Sequence, residues 1–458
     1  MMRLDWLRLF GRERLKMNYP TSFLYSTRLL TILFLLFFAI CTCAQEGPVT
    51  FEFSFSNPGA RSMGLGGAFA ALADDATAAY ANPAGLVQLL EPELSMEVRH
   101  WAYSTPFVAG GRITGPPSGE GIDTVTGIRS STSNYDQTGL SEMSVVYPYK
   151  NWSFALYYHH LADFKHRRTL DGLFAFIDGE DERSEDVVSR TDLRISNWGL
   201  ATAYRLSDTL SIGLGVVYWQ SKLDAFSEEF TVMEAQFYQA NPFTYENLDT
   251  QYYNNGEDNG FTFQLGLLWR ISSMWSIGGY YRQGPRMKVR VVEITGPAND
   301  DEEPGTVEVD ETSPLSFPNV YGLGAAFTAP NGLLTVSFEW SRVTYSAITD
   351  DLNDQVFGPG QVKVNDGDEY HLGVEYIVAS ADPIIALRCG AWFDPAHGLD
   401  SGRGEDVDIF ERTIYTGGDD QWHLSGGLGL VFKKFQFDMG VDIADTIDQV
   451  SLSAVYRF

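Results

Sequence analysis

Four charged residues of the 458-residue sequence each lie in a segment where polar and apolar residues alternate: Glu339, Glu375, Arg388 and Arg282. Carboxylate and guanidinium groups that face each other pair with one another or contact a polar substrate. Because alternate residues of a β-strand point to opposite faces, this spacing places all four on one face of a sheet. Glu339, Glu375 and Arg388 lie on three consecutive predicted strands and can form a lateral ladder. Structural pairing and substrate contact are the two interpretations of these charges.

Motifs for catalysis and nucleotide binding are absent from the sequence. It contains no Gly-x-Ser-x-Gly, His-Glu-x-x-His or paired Cys/His spacing. Gly64-Leu65-Gly66-Gly67 is as glycine-rich as a nucleotide loop, but it lacks the Gly-x-Gly-x-x-Gly spacing and no crossover unit follows it. We therefore predict that the protein is not an enzyme and uses no cofactor.

The acidic residues are concentrated in polar segments such as 178–186 and 300–311. The sequence has 60 Asp and Glu against 32 Lys and Arg, a net charge of −28, so nucleic-acid phosphates would be repelled and no nucleic-acid partner is expected. The acidic segments are either solvated loops or sites where divalent cations bridge to lipopolysaccharide phosphates. No segment has the calcium-loop spacing, and no metal site is predicted.

One run, residues 29–40, is apolar enough to enter a bilayer as a helix. It is short and is followed by small residues up to Ala44, a pattern typical of a signal peptide. We predict a signal peptide over 1–44, cleaved before Gln45, with Met17 as the possible start. A signal anchor is the alternative.

From residue 92 onward, fourteen segments of about ten residues alternate between apolar and polar positions. Transmembrane β-strands have this length and pattern, since one face contacts lipid and the other the lumen. The sequence therefore predicts an all-β fold, a 14-stranded antiparallel transmembrane β-barrel over 92–458. A soluble two-sheet β protein is the alternative.

The connections between the predicted strands alternate in length. Tight turns fall near residues 150, 207, 272, 330, 381 and 433, and long polar loops span about 104–138, 165–193, 222–260, 286–316, 346–367 and 397–420. Short turns are typical of the periplasmic end of such barrels and long loops of the extracellular end, so both termini are expected in the periplasm.

Residues 45–91 do not alternate and are rich in small side chains. Asp74 or Asp75 can cap a short helix that runs to about Tyr80 and ends at Asn82-Pro83. The segment contains Gly64, Gly66 and Gly67, followed by Ala73-Asp74-Asp75-Ala76 and by Asn82, Pro83 and Ala84.

These motifs resemble the amino-terminal motifs of the FadL/toluene-transporter (OMPP1) family of fourteen-stranded outer-membrane barrels. The resemblance implies that residues 45–91 form a plug, or hatch, inside the lumen, with Asn82-Pro83-Ala84 as the plug motif. It also implies passive uptake of hydrophobic compounds, such as long-chain fatty acids or aromatic hydrocarbons, gated by the plug.

Members of this family release their ligand through a lateral opening at a kink in the third strand. The third predicted strand, 152–161, has no glycine or proline to mark such a kink, so the sequence does not predict an opening there. The candidate residues for ligand capture are apolar side chains in the loops, Phe174, Phe176, Phe226 and Phe230. A FadL-like barrel that acts as a scaffold for protein secretion or assembly, as in type IX secretion, is the alternative function.

The predicted location is the outer membrane of a Gram-negative-type bacterium. The chain ends on Phe458, and this ending resembles the C-terminal signature that the barrel assembly machinery reads. The expected partners are therefore this machinery, outer-membrane lipid and hydrophobic small molecules, and the protein is expected to be a monomer.

Overall fold

A computed structural model describes residues 55–298, 303–352, 362–401 and 407–458. The predicted signal peptide with its cleavage site, residues 45–54 and the acidic residues 300–302 lie outside the described residues. In the part of the chain that is described, no helix combines the length and the apolar character needed to cross a membrane.

The chain forms one large sheet whose first and last strands pair. The strands are β1 (Glu93–Arg112), β2 (Gly127–Tyr149), β3 (Trp152–Leu170), β4 (Leu173–Ile177), β5 (Glu180–Arg183), β6 (Asp186–Arg205), β7 (Leu210–Phe230), β8 (Leu248–Arg270), β9 (Trp275–Arg282), β10 (Arg286–Thr295), β11 (Val307–Ser316), β12 (Val320–Thr328), β13 (Leu334–Val343), β14 (Gly367–Val378), β15 (Ile384–Asp394), β16 (Gln421–Val431), β17 (Phe435–Ile443) and β18 (Ile447–Arg457). β1 pairs antiparallel with β18 from Glu93 opposite Arg457 to Tyr103 opposite Ile447, which closes the barrel.

The barrel wall contains fourteen antiparallel strands, which confirms the predicted fold class. β9 and β10 are two parts of the seventh wall strand, and β11 and β12 are two parts of the eighth. β4 and β5 form a hairpin in the loop between the third and fourth wall strands. We call the side of the barrel with the short connections the turn end and the other side the loop end.

The outer surface of the barrel is apolar and bordered by aromatic side chains. On β7, Ile212, Leu214 and Val216 are exposed. The residues that alternate with them are buried inside the barrel: Ser211, Gly213, Gly215 and Val217. Exposed aromatic residues form two rings around the barrel. The ring toward the loop end contains Trp198, Phe261, Tyr321, Tyr370 and Trp422. The ring toward the turn end contains Tyr149, Trp152, Trp269, Trp275 and Phe435. This arrangement is that of a membrane barrel with an apolar band between two aromatic girdles.

All six predicted tight turns connect strands at the turn end, but the predicted loop boundaries are wrong. Strands β1, β2, β3, β6, β7 and β8 each contain 19–23 residues and continue into segments that were expected to be loops. Beyond the bilayer both faces of a strand contact water or other loops, so the apolar alternation is lost while the cross-strand hydrogen bonds continue.

The N-terminal segment, here defined as residues 55–91, lies inside the barrel. It contains α1 (Ala60–Gly64), α2 (Ala78–Ala81) and a 3₁₀ helix (Pro83–Gln88). Two further helices, α3 (Ser346–Leu352) and α4 (Ile409–Ile414), lie in connections at the loop end.

The predicted cap of α2 is wrong. Thr77 is the N-cap residue, and Asp75 instead accepts hydrogen bonds from the Thr77 backbone and hydroxyl. The small residues allow the segment to fold back on itself within the lumen, where its alanine side chains are almost fully buried.

Candidate functional site

Inward-facing glycines of the barrel wall contact the N-terminal segment backbone to backbone. A Cβ at Gly278 would overlap the carbonyl of Ala70, and one at Gly390 would overlap the backbone of Gly66. The glycines that make such contacts lie on seven different strands: Gly213, Gly266, Gly278, Gly373, Gly390, Gly427 and Gly440. At these glycines the wall and the segment are therefore in direct backbone contact, with no space for a solute between them.

Asn82 joins the N-terminal segment to the wall. It is fully buried, and its Nδ2 donates to the carbonyl oxygens of Ala70 at 2.8 Å and of Leu267, on β8, at 3.1 Å. Its Oδ1 accepts from the backbone N of Ala84 at 3.2 Å. The Ala84 carbonyl accepts from Ser211 Oγ, on β7, at 2.9 Å, and Pro83 packs against Gly213.

Gly64, Gly66 and Gly67 lie at the end of α1 and in the turn that follows it. Gly66 and Gly67 have φ angles of +61° and +80°, a conformation that side chains with a Cβ rarely adopt. The Gly66 carbonyl hydrogen-bonds to Nδ1 of His371, on β14, at 2.7 Å. Gly64 contacts Gly427 on β16. Glycine is thus required here by both conformation and close approach.

Glu339 points inward from β13 and binds the N-terminal segment. Its Oε2 accepts from the backbone N of Phe69 at 2.9 Å and of Ala70 at 2.7 Å, and its Oε1 accepts from the hydroxyl of Tyr280 at 2.8 Å. On the wall it lies opposite His371, so it does not join a ladder with Glu375.

Glu375 and Arg388 are direct cross-strand partners and form a buried network with the N-terminal segment. Arg388 donates to Glu375 at 2.8 Å and to Asp438 at 2.7 Å. Arg61, on α1, donates to Glu375 at 3.0 Å and also to Asp74 at 2.5 Å. Burial of so many charges requires that each has a partner, and the network supplies them.

Arg282 lies between the wall and the N-terminal segment. It donates to the Asn57 side chain and, at 2.8 Å, to the carbonyl of Ala81. Its guanidinium carbon lies 4.3 Å from the ring centre of Tyr80 and 4.0 Å from that of Tyr280. These acceptors are uncharged, so the cation is held by amide oxygens and aromatic faces.

Toward the loop end the interior becomes apolar. Inward-facing residues here form one buried cluster with the N-terminal segment, and they include Leu161, Leu193, Ile195, Val217, Trp219, Leu223, Met287, Val289, Phe317 and Val320. Sequence reasoning did not assign this lining to the site. The signal was available on β7, where strand parity places Val217 and Trp219 inside the barrel.

Two small cavities, each with a volume of about 20 Å³, lie between the barrel wall and the N-terminal segment. The first is lined by Ser56, Arg99, Trp101, Tyr103, His159, His160, Leu161, Ala162 and Asp163. The second includes Phe55, Tyr80, Leu161, Val217, Phe263, Arg282, Gly284, Pro285 and Val320. Leu161 lines both, so the cavities are neighbours.

The third wall strand has a β-bulge although it contains neither glycine nor proline. The register between β3 and β6 shifts between His160 and Ala162, and Leu161 and Ala162 are both buried. Pairing between β2 and β3 ends at Glu142 opposite His159, whereas each strand continues along its other neighbour. The wall therefore has a seam between β2 and β3, and the first cavity lies beside it.

Two of the four loop phenylalanines proposed for ligand capture, Phe174 and Phe230, are buried within the loop end. Phe174 is fully buried between Arg112 and Arg183, whose guanidinium carbons lie 5.6 and 5.3 Å from its ring centre. Phe230 is buried against Phe243. These side chains pack against other loop residues because loops this long need a core of their own.

The other two candidates are more accessible. Phe226 is partly buried and stacks on Tyr253, and Phe176 is 47% exposed. Ligand capture by any of the four stays a prediction. Near them, hydrogen bonds from Arg112 and Tyr238 lower the pKa of Asp181, which keeps this carboxylate charged. Within the described ranges, no three His, Cys, Asp or Glu side chains are arranged to hold a metal ion.

The model of a protein family described as outer membrane protein transport protein (OMPP1/FadL/TodX) matches residues 177–428, more than half of the chain. The match includes wall strands from β6 to β15 and does not include the N-terminal segment. No curated protein matches the sequence.

Solved structures with a similar fold include a Pseudomonas aeruginosa FadL homologue, with a TM-score of 0.59 and 13% identity over 90% of this chain and 100% of that one. The P. putida toluene transporter TodX has a TM-score of 0.55 and 12% identity over 88% of this chain and 99% of its own. The Ralstonia pickettii toluene transporter TbuX has a TM-score of 0.53 and 14% identity over the same shares, 88% and 99%. The similarity to these structures concerns the fold, whereas the family match is a sequence match that includes the wall strands from β6 to β15. The chain belongs to the OMPP1/FadL/TodX family of outer-membrane transport proteins.

Proposed function

We propose that the protein is a passive channel that takes up hydrophobic compounds from the cell exterior. The observation that carries this proposal is the apolar lining between the extracellular loops and the N-terminal segment, to which Val217, Trp219 and Leu223 contribute. Burial of a methylene group in such a lining is favourable by about 0.8 kcal/mol, whereas ions and polar solutes lose hydration there. The toluene transporters with the same fold support this class of cargo.

The N-terminal segment is proposed to act as a plug that gates this channel. The two cavities have volumes of about 20 Å³, and this is too small for toluene or a fatty acid. Tyr80 and Phe55 belong to the segment and line the second cavity. A shift of these two rings enlarges the cavity while Asn82 keeps the segment attached to the wall, so gating does not require release of the whole plug.

The seam between β2 and β3 is the proposed lateral exit toward the bilayer. Leu161, at the bulge, lines both cavities, so a ligand that displaces it passes from the apolar lining to the seam. An apolar molecule gains more by leaving into lipid than into periplasmic water. The bulge thus supplies the opening for which the sequence of the third strand offered no kink residue.

Arg282 is the proposed contact for an acidic head group, which favours long-chain fatty acids over neutral hydrocarbons as cargo. It lines the second cavity, and its hydrogen-bond acceptors are uncharged amide oxygens. A carboxylate that enters this cavity finds a guanidinium group among apolar and uncharged polar side chains, such as Asn197 and Gln264, and can form a charge-assisted ion pair with it.

Uptake of labelled oleate and labelled toluene by cells with and without the gene tests the channel. We expect uptake to rise severalfold with the gene, more for oleate than for toluene. If cells with the gene take up each compound no faster than cells without it, the channel is contradicted. Co-purification of secreted proteins with the barrel in that case favours the secretion scaffold.

Deletion of residues 45–86 tests the plug. We expect the single-channel conductance of the purified barrel in a planar bilayer to rise, and an unchanged conductance removes the plug from the proposal. Removal of residues 1–44 as a signal peptide is tested by N-terminal sequencing of the outer-membrane form, which is expected to begin at Gln45.

A further inference from the structure

A second seam lies four strands further along the wall, between the sixth and seventh wall strands. β8 pairs with β9 from Gln264 opposite Arg282 to Arg270 opposite Ser276, and with β10 from Asn255 opposite Arg290 onward. Residues 256–263 of β8 have no ladder partner on this side, although the same residues pair without interruption with β7 on the other side.

Proline and glycine residues interrupt the strands at this second seam. The seventh strand is broken at Gln283-Gly284-Pro285, and the eighth is broken beside it at Phe317-Pro318-Asn319. Pro285 has no N–H to offer to β8. Gly284 turns instead toward the eighth strand, where its N donates to Asn319 Oδ1 at 3.0 Å and a Cβ would overlap the carbonyl of Phe317.

The second cavity reaches the wall at this seam. Its lining includes Thr262 and Phe263 on one edge and Gln283, Gly284 and Pro285 on the other. On the lumen side the same cavity is lined by Leu161 and by residues of the N-terminal segment. One layer of side chains thus separates the interior of the barrel from the outside at this place.

The outer side of the seam faces the bilayer near the ring of aromatic side chains toward the loop end. Phe261 is 73% exposed, the highest value among the exposed large hydrophobic residues, and Phe263 beside it is also exposed. We propose that the seam between β8 and β9–β10, here called the Gly284 portal, is a second lateral opening through which apolar molecules pass between the lumen and the outer leaflet. The proposal rests on the proposed channel function and adds a route that is separate from the seam at β3.

Two hydrogen bonds across the seam hold the Gly284 portal closed in this structure. Gln283 N donates to the carbonyl of Phe263 at 3.1 Å, and Lys288 N donates to the Asp258 carboxylate at 2.8 Å. A regular antiparallel ladder makes about two hydrogen bonds for every two residues of a strand, so this stretch of wall is held by far fewer bonds than its neighbours. Separation of the strands here costs less than anywhere in a continuous ladder.

Access from the bilayer tests the portal without any assumption about cargo. The mature chain with Cys389→Ala, which removes its free cysteine, carries Thr262→Cys at the seam. The matched control is Ser337→Cys, since Ser337 is equally inward and buried but pairs on both sides with Ala326 and Gly373. In proteoliposomes, pyrene maleimide dissolved in the lipid is expected to label the Thr262→Cys thiol at least tenfold faster than the control. Equal rates overturn the portal.

A disulfide across the seam tests whether cargo uses it. Phe263→Cys with Gln283→Cys joins the two edges where their backbones are hydrogen-bonded, and Leu265→Cys with Tyr281→Cys is the control, because these residues are already cross-strand partners. Oxidation is expected to lower oleate uptake at least twofold in the first pair, with recovery on reduction, and to leave the control pair unchanged.

The outcomes separate this inference from the channel function. Normal uptake through the oxidised seam overturns the portal as a cargo route while the channel stands. Fast labelling of Thr262→Cys, with no uptake by any variant, supports the opening and contradicts the channel.

Discussion

The ring of Tyr80 lies 4.0 Å, centroid to centroid, from the ring of His159, with 35° between their planes. Tyr80 belongs to helix α2 of the N-terminal segment, and His159 is the last residue of β3 that pairs with β2. The contact therefore joins the proposed plug to the point where the β3 seam begins. Tyr80 also stacks on Arg282, so it touches both the exit and the cation of the second cavity.

Replacement of Tyr80 by alanine is expected to raise oleate uptake and single-channel conductance. Loss of the ring enlarges the second cavity, which Tyr80 lines, and releases the aromatic contact with His159, worth about 0.5–1.5 kcal/mol beyond burial. The matched control is Tyr80→Phe, which keeps the ring and is expected to behave like the native protein. An alanine variant with native conductance contradicts a gate at this position.

Replacement of Arg61 by glutamine is expected to loosen the plug. The substitution removes the buried salt bridge to Asp74 and one of the two arginines that pair with Glu375, and breaking a buried ion pair costs about 3–5 kcal/mol. We expect faster proteolysis of the N-terminal segment and a lower melting temperature. Arg290→Gln is the control, because Arg290 forms its pair with Asp310 in full contact with solvent. Equal protease resistance of the two variants would show that the Arg61 network does not hold the plug.

Substitutions of two adjacent glycines on β9 distinguish the packing of the plug against the wall from the stability of the strand. Gly278→Ala places a methyl group against the carbonyl of Ala70. Gly279→Ala instead meets the flexible end of Leu323 on the lipid face and, at an ordinary contact distance of 3.5 Å, the carbonyl of Gly322. Both substitutions alter the same strand. Only Gly278→Ala is expected to shift the plug and raise conductance, by at least twofold. If both variants conduct alike, the glycine contacts do not seat the plug.

Replacement of Arg282 tests the choice of cargo. Arg282→Gln removes the cation that lines the second cavity and is expected to lower oleate uptake severalfold with little change in toluene uptake. Arg282→Lys keeps the charge and is expected to retain most of the preference for oleate. The measured quantity is the ratio of the two uptake rates. Parallel loss of both substrates in Arg282→Gln would assign Arg282 to plug attachment alone.

The extracellular end of the barrel is expected to lose stability as pH rises. Burial, together with the nearby Glu185 and Asp249 carboxylates, raises the pKa of Glu229 from 4.5 to about 8, and Arg168 opposes this shift only weakly. The folded state binds a proton that the unfolded state releases above pH 4.5, so the associated stability is complete below that pH and is lost as pH passes through about 8.

Glu229→Gln should flatten this pH dependence. Hydrogen exchange at the outer ends of β6 and β7 between pH 5 and about 9 measures it, with faster exchange at high pH expected only in the native protein. Glu228→Gln, a change at the neighbouring residue on the opposite face of the strand, is expected to keep the native dependence. Native exchange with no change across this range contradicts the assignment.

The number of wall strands and all six tight turns follow from the sequence, because one apolar face against lipid produces a regular alternation. The ends of the long strands do not follow from it. In β2, residues 127–138 are polar on both faces, so nothing in their pattern distinguishes a paired strand from a loop. Only the neighbouring strand β1, which supplies the hydrogen bonds, defines this stretch as β-structure.

Residues of the candidate site could be predicted from the sequence where the backbone conformation or a buried contact requires one residue type. They could not be predicted where the position of a side chain depends on contacts with other strands. Asn82 and the glycines Gly66 and Gly67 stand out because few other residues fit a buried amide bridge or a positive φ. The bulge at Leu161 leaves no such mark, since it results from a register shift between β3 and β6. The burial of Phe174 also leaves no mark in the sequence, because it depends on the hairpin that places Arg183 opposite Phe174 and on Arg112 from β1.

The length of the wall strands has a further consequence for how a cargo molecule approaches the cell. β2 and β8 contain 23 residues each, a rise of about 75 Å along the strand and roughly 55 Å along the barrel axis at a tilt of about 45°. A hydrocarbon band of about 25 Å leaves roughly 30 Å of wall outside the bilayer. In the proposed channel, a hydrophobic molecule therefore meets the protein roughly 30 Å before it reaches the hydrocarbon band, and the first part of its path runs along the wall rather than through lipid.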